Sequence, residues 1–141
     1  MIITRKATQE DMDFIRLNPL EEAVKQYPIC PIDDLTTVSL YNGVPFAIGG
    51  LRPVWKGVAE AWVIMTKEVL KFKVEALWKV REEMDRMIAE SDYKRIMAIV
   101  RVDLPQAIKM IEFMGFENET PNGMKSFFSD GCDAYMYSRG G

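Results

Sequence analysis

The stretch Pro105-Gln106-Ala107-Ile108-Lys109-Met110-Ile111-Glu112-Phe113-Met114-Gly115-Phe116 reads as one helix with both ends marked. Pro105 suits the first helical position, where a missing N–H costs nothing and a fixed φ is already helical. Gly115 sits where the chain must leave the helix through left-handed geometry. A buried-looking strand, Ile96-Met97-Ala98-Ile99-Val100 within residues 95–102, precedes the helix, and residues 116–120 follow as another strand. The core of the sequence is therefore a strand–helix–strand unit.

Working back toward the N-terminus, residues 67–91 are the longest helical stretch. Val69, Phe72, Val74, Leu77, Val80, Met84, Met87 and Ile88 recur there at three- and four-residue spacing, which predicts one continuous helix. Before it come two β-branched runs, residues 36–41 and 44–50, joined by Asn42-Gly43, a pair suited to the positive φ that a tight hairpin needs. A Trp55-Lys56-Gly57 turn leads to a third run at 58–66, so the three runs form an antiparallel meander. Residues 2–5 open the chain as a strand, and Thr8 caps a helix whose first turn is acidic and whose stripe is Met12, Ile15 and Leu17. Asn18-Pro19-Leu20-Glu21 predicts a second helix start with a capping box, ended by Pro28 and Pro31. Residues 132–138 finish as a strand, with Tyr135-Met136-Tyr137 alternating as a half-buried sheet does. The order β-α-α-β-β-β-α-β-α-β-β predicts one α+β domain over residues 1–141, a mostly antiparallel sheet flanked by helices.

Bulk properties exclude several roles. A chain of 141 residues with 48% hydrophobic and 28% charged residues is long enough, and balanced enough, for one real core. A net charge of −3 argues against nucleic acid as the partner. No run approaches a membrane span, and the N-terminus has no apolar signal core, so the expected setting is a cytoplasm or the inside of an assembled particle. Cys30 and Cys132 read as two ordinary reduced thiols. With no histidine, a His-dependent triad or zinc site is impossible, and acid–base work falls to carboxylates, Tyr, Cys, Lys or water.

The helix quoted above resembles the A-I-x-L-Y-E-K-x-G-F signature of the GNAT N-acetyltransferases, with Ala107, Ile108, Glu112, Gly115 and Phe116 agreeing in place. The hairpin Gly43-Val44-Pro45-Phe46-Ala47-Ile48-Gly49-Gly50 resembles a strand of the same family. Shorter echoes resemble the internal virion protein A type of short-tailed bacteriophages: Thr37-Val38-Ser39-Leu40-Tyr41, Ala47-Ile48-Gly49-Gly50, Trp62-Val63-Ile64-Met65-Thr66 and the closing Gly140-Gly141. The first resemblance implies the acyl-CoA N-acyltransferase fold. The second implies phage or host proteins as partners and a place in the host cytoplasm or a virion.

The same resemblance implies where acetyl-CoA would sit. The family's diphosphate turn is Q/R-x-x-G-x-G/A, because bare backbone must approach phosphate closely at a helix start. The matching segment here, residues 66–76, has no glycine, and Lys71, Lys73 and Glu75 take the small positions. Met65, Lys67, Lys71, Phe72 and Lys73 are the residues that a cofactor would meet, the lysines by charge. The family's Tyr acid falls on Ile111, and the position of a common Asn falls on Leu104. Glu60, on the third meander run, matches the glutamate that takes the amine's proton, and alternation puts it on a face with Val58, Trp62 and Ile64. Tyr135 and Tyr137 are the available substitutes for the acid.

The remaining polar clusters read structurally. Ten methionines suit adaptable core filling, Asp33-Asp34 lacks the spaced partners of a metal site, and Glu82, Glu83 and Asp85 alternate with Lys79, Arg81 and Arg86 as a solvated face. Trp55, beside Pro53 and Gly57, is the aromatic expected at the surface. An exposed edge at the last strand would allow dimerisation by strand addition. Two functions follow. The first is a GNAT-like protein without acetyl transfer, needing no cofactor, that works through contact with phage or host proteins. The second is an acetyl-CoA-dependent N-acetyltransferase with Glu60 as base.

Overall fold

The computed structural model describes residues 1–26 and 31–140. Seven strands form one sheet: β1 (Ile2–Lys6), β2 (Thr37–Tyr41), β3 (Val44–Trp55), β4 (Val58–Met65), β5 (Arg95–Arg101), β6 (Glu117–Asn118) and β7 (Ala134–Gly140). Their spatial order is β1-β2-β3-β4-β5-β7-β6. Neighbours run antiparallel except β4 and β5, which are parallel because a helix carries the chain from one to the other. The helices are α1 (Gln9–Leu17), α2 (Lys73–Ala89) and α3 (Pro105–Phe113).

Both faces of the sheet are covered, which explains why strand burial departs from simple alternation. On one face Met12 and Ile15 of α1 pack with Val38, Leu40, Ile48 and Ile64. On the other, Val80, Met84, Met87 and Ile88 of α2 pack with Ala59, Ala61, Ile96, Ala98, Val100 and Tyr137, and α3 closes over them through Ala107, Ile108 and Ile111. No residue of α3 is fully buried, so that helix lies on the outside of the core.

Local chemistry sets most of the boundaries. Thr8 accepts from the Asp11 amide while the Asp11 carboxylate accepts from the Thr8 amide, a closed capping box at the start of α1. Asn42 and Gly43 take φ of 50° and 83° in the β2–β3 turn, as the hairpin reading requires. Gly115, at φ 89°, ends α3.

Four expectations are corrected. Asn18 does not start a second helix; it closes α1, its amide reaching Ile15, and only a short 3-10 segment, Glu22–Gln26, follows. Pro19 instead forms an isolated bridge to Thr66, so tertiary pairing overrides the capping pattern. Pro28 and Cys30 lie outside the described residues. The helix over 67–91 is broken: Lys67–Lys71 is a 3-10 turn capped by Thr66, and Phe72, at φ −146° and ψ 46°, separates it from α2. The third correction concerns the end of the chain. β6 has only two residues, and β7 lies between β5 and β6, so the last strand is not the sheet edge. Fourth, β3 runs on through Pro53 to Trp55, with a register shift between those two residues.

Candidate functional site: the cleft between two parallel strands

β4 and β5 pair over three positions only, Val58 with Arg95, Ala59 with Ile96 and Glu60 with Met97. Beyond Glu60, β4 continues to Met65 and stays paired to β3 as far as Ala47. β5 continues to Arg101 and stays paired to β7 as far as Ala134. Each strand therefore follows its outer neighbour, and the sheet opens as a V between them. The facing edges carry main-chain donors and acceptors that no ladder takes, and such groups need a partner. An extended amide-bearing chain would supply one.

Glu60 stands at the closed end of the V, where the pairing stops. The Arg52 Nε donates to its carboxylate at 3.0 Å and the Arg52 Nη2 also bonds it, from the facing position on β3. The side chain is 17% exposed, so it is sheltered but already paired with a cation. Its neighbours on that face of β4, Trp62 and Ile64, pack toward α1.

Tyr135 belongs to the opposite face. It packs against the core beneath α2 and α3, beside Tyr137 with ring centroids 6.4 Å apart. Tyr137 is buried, and its hydroxyl donates to Glu112 at 3.0 Å. Burial first, and that carboxylate second, push its pKa up to about 12. Glu60 and Tyr135 are thus on two different faces and do not form one acid–base pair. On α3, Ile111 packs into the core and brings no proton donor.

The open end of the V meets the first turn of α2. Phe72 is anchored inward, stacked on Tyr41 at 4.2 Å and edge-on to Phe46 at 4.9 Å. The lysines are at the surface: Lys71 Nζ donates to Glu68 at 3.1 Å, and Lys73 Nζ donates to Gln106 Oε1 at 3.3 Å, joining the N-termini of α2 and α3. Lys67 lies near Glu22, and Met65 is half-buried with its carbonyl accepting from the Leu20 amide at 2.8 Å. Met65, Lys67, Lys71, Phe72 and Lys73 thus run from the end of β4 into the first turn of α2.

The cleft suits the two halves of coenzyme A unequally. The V suits a slender arm with amides. The turn suits a diphosphate less well. No side chain caps α2, which leaves its first N–H groups available, but Glu75 puts a carboxylate in that first turn. That charge already offsets the helix dipole and repels phosphate. Without glycine from Val58 to Asp92, every position of the turn also carries a side chain.

No family model matches the chain, and no curated protein matches it by sequence. Solved structures do. The spermidine N-acetyltransferase from Vibrio cholerae, in complex with CoA and spermine, superposes with a TM-score of 0.75 at 17% identity, covering 99% of this chain and 95% of that one. Ard1 from Thermoplasma volcanium gives 0.73 at 15% identity over 99% and 97% of the two chains. A GNAT-family acetyltransferase from Bacillus anthracis gives 0.73 at 12% identity over 98% and 93%.

The fold is the GNAT fold.

Within that GNAT scaffold, three features were not read from the sequence: Arg52 on Glu60, Gln106 on Lys73, and an Arg101 clamp. Arg101 is buried at the end of β5, where Nε and Nη2 donate to Asp103 and Nη2 also donates to Asp130. Its guanidinium lies 5.2 Å from the Phe128 ring centroid, tying the loop before β7 to the cleft's rim. The Arg52 contact had a usable signal. The Lys56-Gly57 turn nearly places Arg52 opposite Glu60, and the register shift beside Pro53 is what hides it. Among the described residues no group of carboxylates and thiols could hold a metal, and no helix is long and apolar enough to cross a membrane.

Proposed function

We propose that this GNAT-fold chain does not transfer acetyl groups and acts through contacts with other proteins, as the resemblance to internal virion protein A implies. The observation that carries this reading is the first turn of α2, where Glu75 and the absence of glycine leave no bare backbone cradle for a diphosphate. The paired state of Glu60 and the apolar Ile111 support it from the acid–base side. In this reading the partners are phage or host proteins, and the setting is the host cytoplasm or the virion.

One observation favours a second reading, an acetyl-CoA-dependent N-acetyltransferase acting on an amine with Glu60 as base: the V between β4 and β5. A transfer assay separates the two. Release of free thiol from acetyl-CoA is followed with polyamine, lysine and peptide N-termini as acceptors. The first reading expects no release above background. Turnover that falls in Glu60→Gln, with the melting temperature unchanged, would establish the second.

A further inference from the structure

Three places in the chain put glycine directly after a side chain that can cyclise onto it: Asn42-Gly43, Asn122-Gly123 and Asp130-Gly131. At each, the main-chain nitrogen of glycine can close a five-membered ring on the carbonyl carbon of the preceding side chain. Glycine has no Cβ to obstruct that approach and resists the necessary backbone rotation least. The fold treats the three sites differently.

Two of them are held. Asn42 turns the β2–β3 hairpin; its Oδ1 accepts from the Met1 ammonium at 3.2 Å, and its amide donates to the Met1 carbonyl at 3.2 Å. The Asp130 carboxylate is taken at both oxygens: Arg101 Nη2 donates to Oδ2 at 2.8 Å, and the Cys132 amide donates to Oδ1 at 3.1 Å. Asn122 is different. It is exposed in the loop before β7, and among the described residues its side chain bonds to nothing. One main-chain bond closes the turn around Pro121 and Asn122, the Gly123 amide donating to the Thr120 carbonyl at 2.8 Å. Cyclisation needs that bond opened. Breaking a single hydrogen bond in an exposed loop costs less than opening a hairpin between two paired strands.

We propose that Asn122 is a site of spontaneous deamidation, where the folded chain converts an asparagine to aspartate and isoaspartate. The Gly123 nitrogen gives its proton to solvent and attacks Asn122 Cγ. The new C–N bond forms, the Cγ–Nδ2 bond breaks, and the departing nitrogen takes a proton from solvent and leaves as ammonia. Water then reopens the cyclic imide, giving aspartate where the Cγ bond breaks and isoaspartate where the main-chain bond breaks. No electrons are transferred, and water is the co-reactant. Either product replaces a neutral amide with a carboxylate. Gly123 lies against Asp133, since a Cβ there would come within 3.8 Å of Asp133 Oδ2, so the new charge falls near one of like sign. Isoaspartate also lengthens the main chain of the turn. The loop that Arg101 ties to the rim of the cleft is thereby loosened as the molecule ages. This inference holds under either reading of function.

The test is peptide mapping of the full chain stored folded at neutral and mildly alkaline pH. Mass spectrometry reads the exchange of NH2 for OH, and an isoaspartate-specific methyltransferase labels the rearranged product. In heavy-oxygen water each product should carry one heavy oxygen. Asn122 is expected to convert at least about tenfold faster than Asn42, the factor that ~1.4 kcal/mol of extra opening cost brings, and faster still as pH rises. In urea, where neither is held, the two are expected to convert at similar rates. Asn122→Gln, which would have to close a larger ring, is expected to lose the methyl label with an unchanged melting temperature. The proposal is overturned if Asn42 or Asp130 converts before Asn122 in the folded chain, if Asn122 stays intact while the unfolded chain converts, or if the label persists in Asn122→Gln.

Discussion

At the scale of single residues, partners decide what a titratable group can do. Glu60, the candidate base by resemblance, has its carboxylate bound by Arg52. Glu119 shows the same chemistry with a measurable consequence. The Arg95 guanidinium bonds it at 2.8 Å and Ser138 Oγ donates to it at 2.7 Å. Arg95 first and Ser138 second lower its pKa from 4.5 to about 2. The folded state therefore binds this proton less readily than the unfolded chain does. Its stabilising effect is complete above the unfolded value and disappears as pH falls through the folded one. Denaturant melts of wild type and Glu119→Gln should differ most near neutral pH and converge as pH falls from 4.5 toward about 2. A difference that stays constant over that range would contradict the pairing. The sequence identifies Glu60 by position but not its partner, because a β-bulge beside Pro53 shifts the register by which one would count across the hairpin.

At the scale of elements, two junctions hold the cleft in shape. Gly49 of β3 faces Val63 of β4, and a Cβ there would come within 2.6 Å of the Trp62 carbonyl oxygen. Backbone cannot swing aside as a side chain can, so Gly49→Ala should cost about 1–3 kcal/mol in urea unfolding. The second junction is Arg101, whose side chain is 6% exposed. Arg101→Met removes charge-assisted hydrogen bonds to Asp103 and Asp130 while keeping an apolar stem, and should cost about 1.5–3 kcal/mol. Proteolysis within residues 119–133 should accelerate in that variant, since the loop loses its anchor. The elements themselves were largely legible: turn residues marked the hairpins, apolar periodicity marked α1 and α2, and Pro105 and Gly115 marked the ends of α3. Two misreadings share one cause. Asn18-Pro19 and residues 67–72 carry good local helix signals, but Pro19 bridges to Thr66 and Phe72 is drawn into a stack with Tyr41. Long-range contacts overrule local propensity at both places.

At the scale of the whole molecule, the GNAT fold was legible because strand order and the Gly115-Phe116 helix end follow from patterns of a few residues. The V between β4 and β5 was not, because pairing that stops halfway along two strands leaves no trace in composition or periodicity. The molecule thus combines an opening that suits an amide-bearing arm with a helix start that does not suit a diphosphate. Binding of acetyl-CoA, independent of any acceptor amine, tests that combination. Calorimetric titration of the full chain, paired with thermal melts, should show no saturable heat and no rise in melting temperature at millimolar acetyl-CoA. One-to-one binding would contradict it, with stabilisation of about 2.7 kcal/mol at a hundred times Kd, provided that Lys71→Ala and Lys73→Ala abolish the effect.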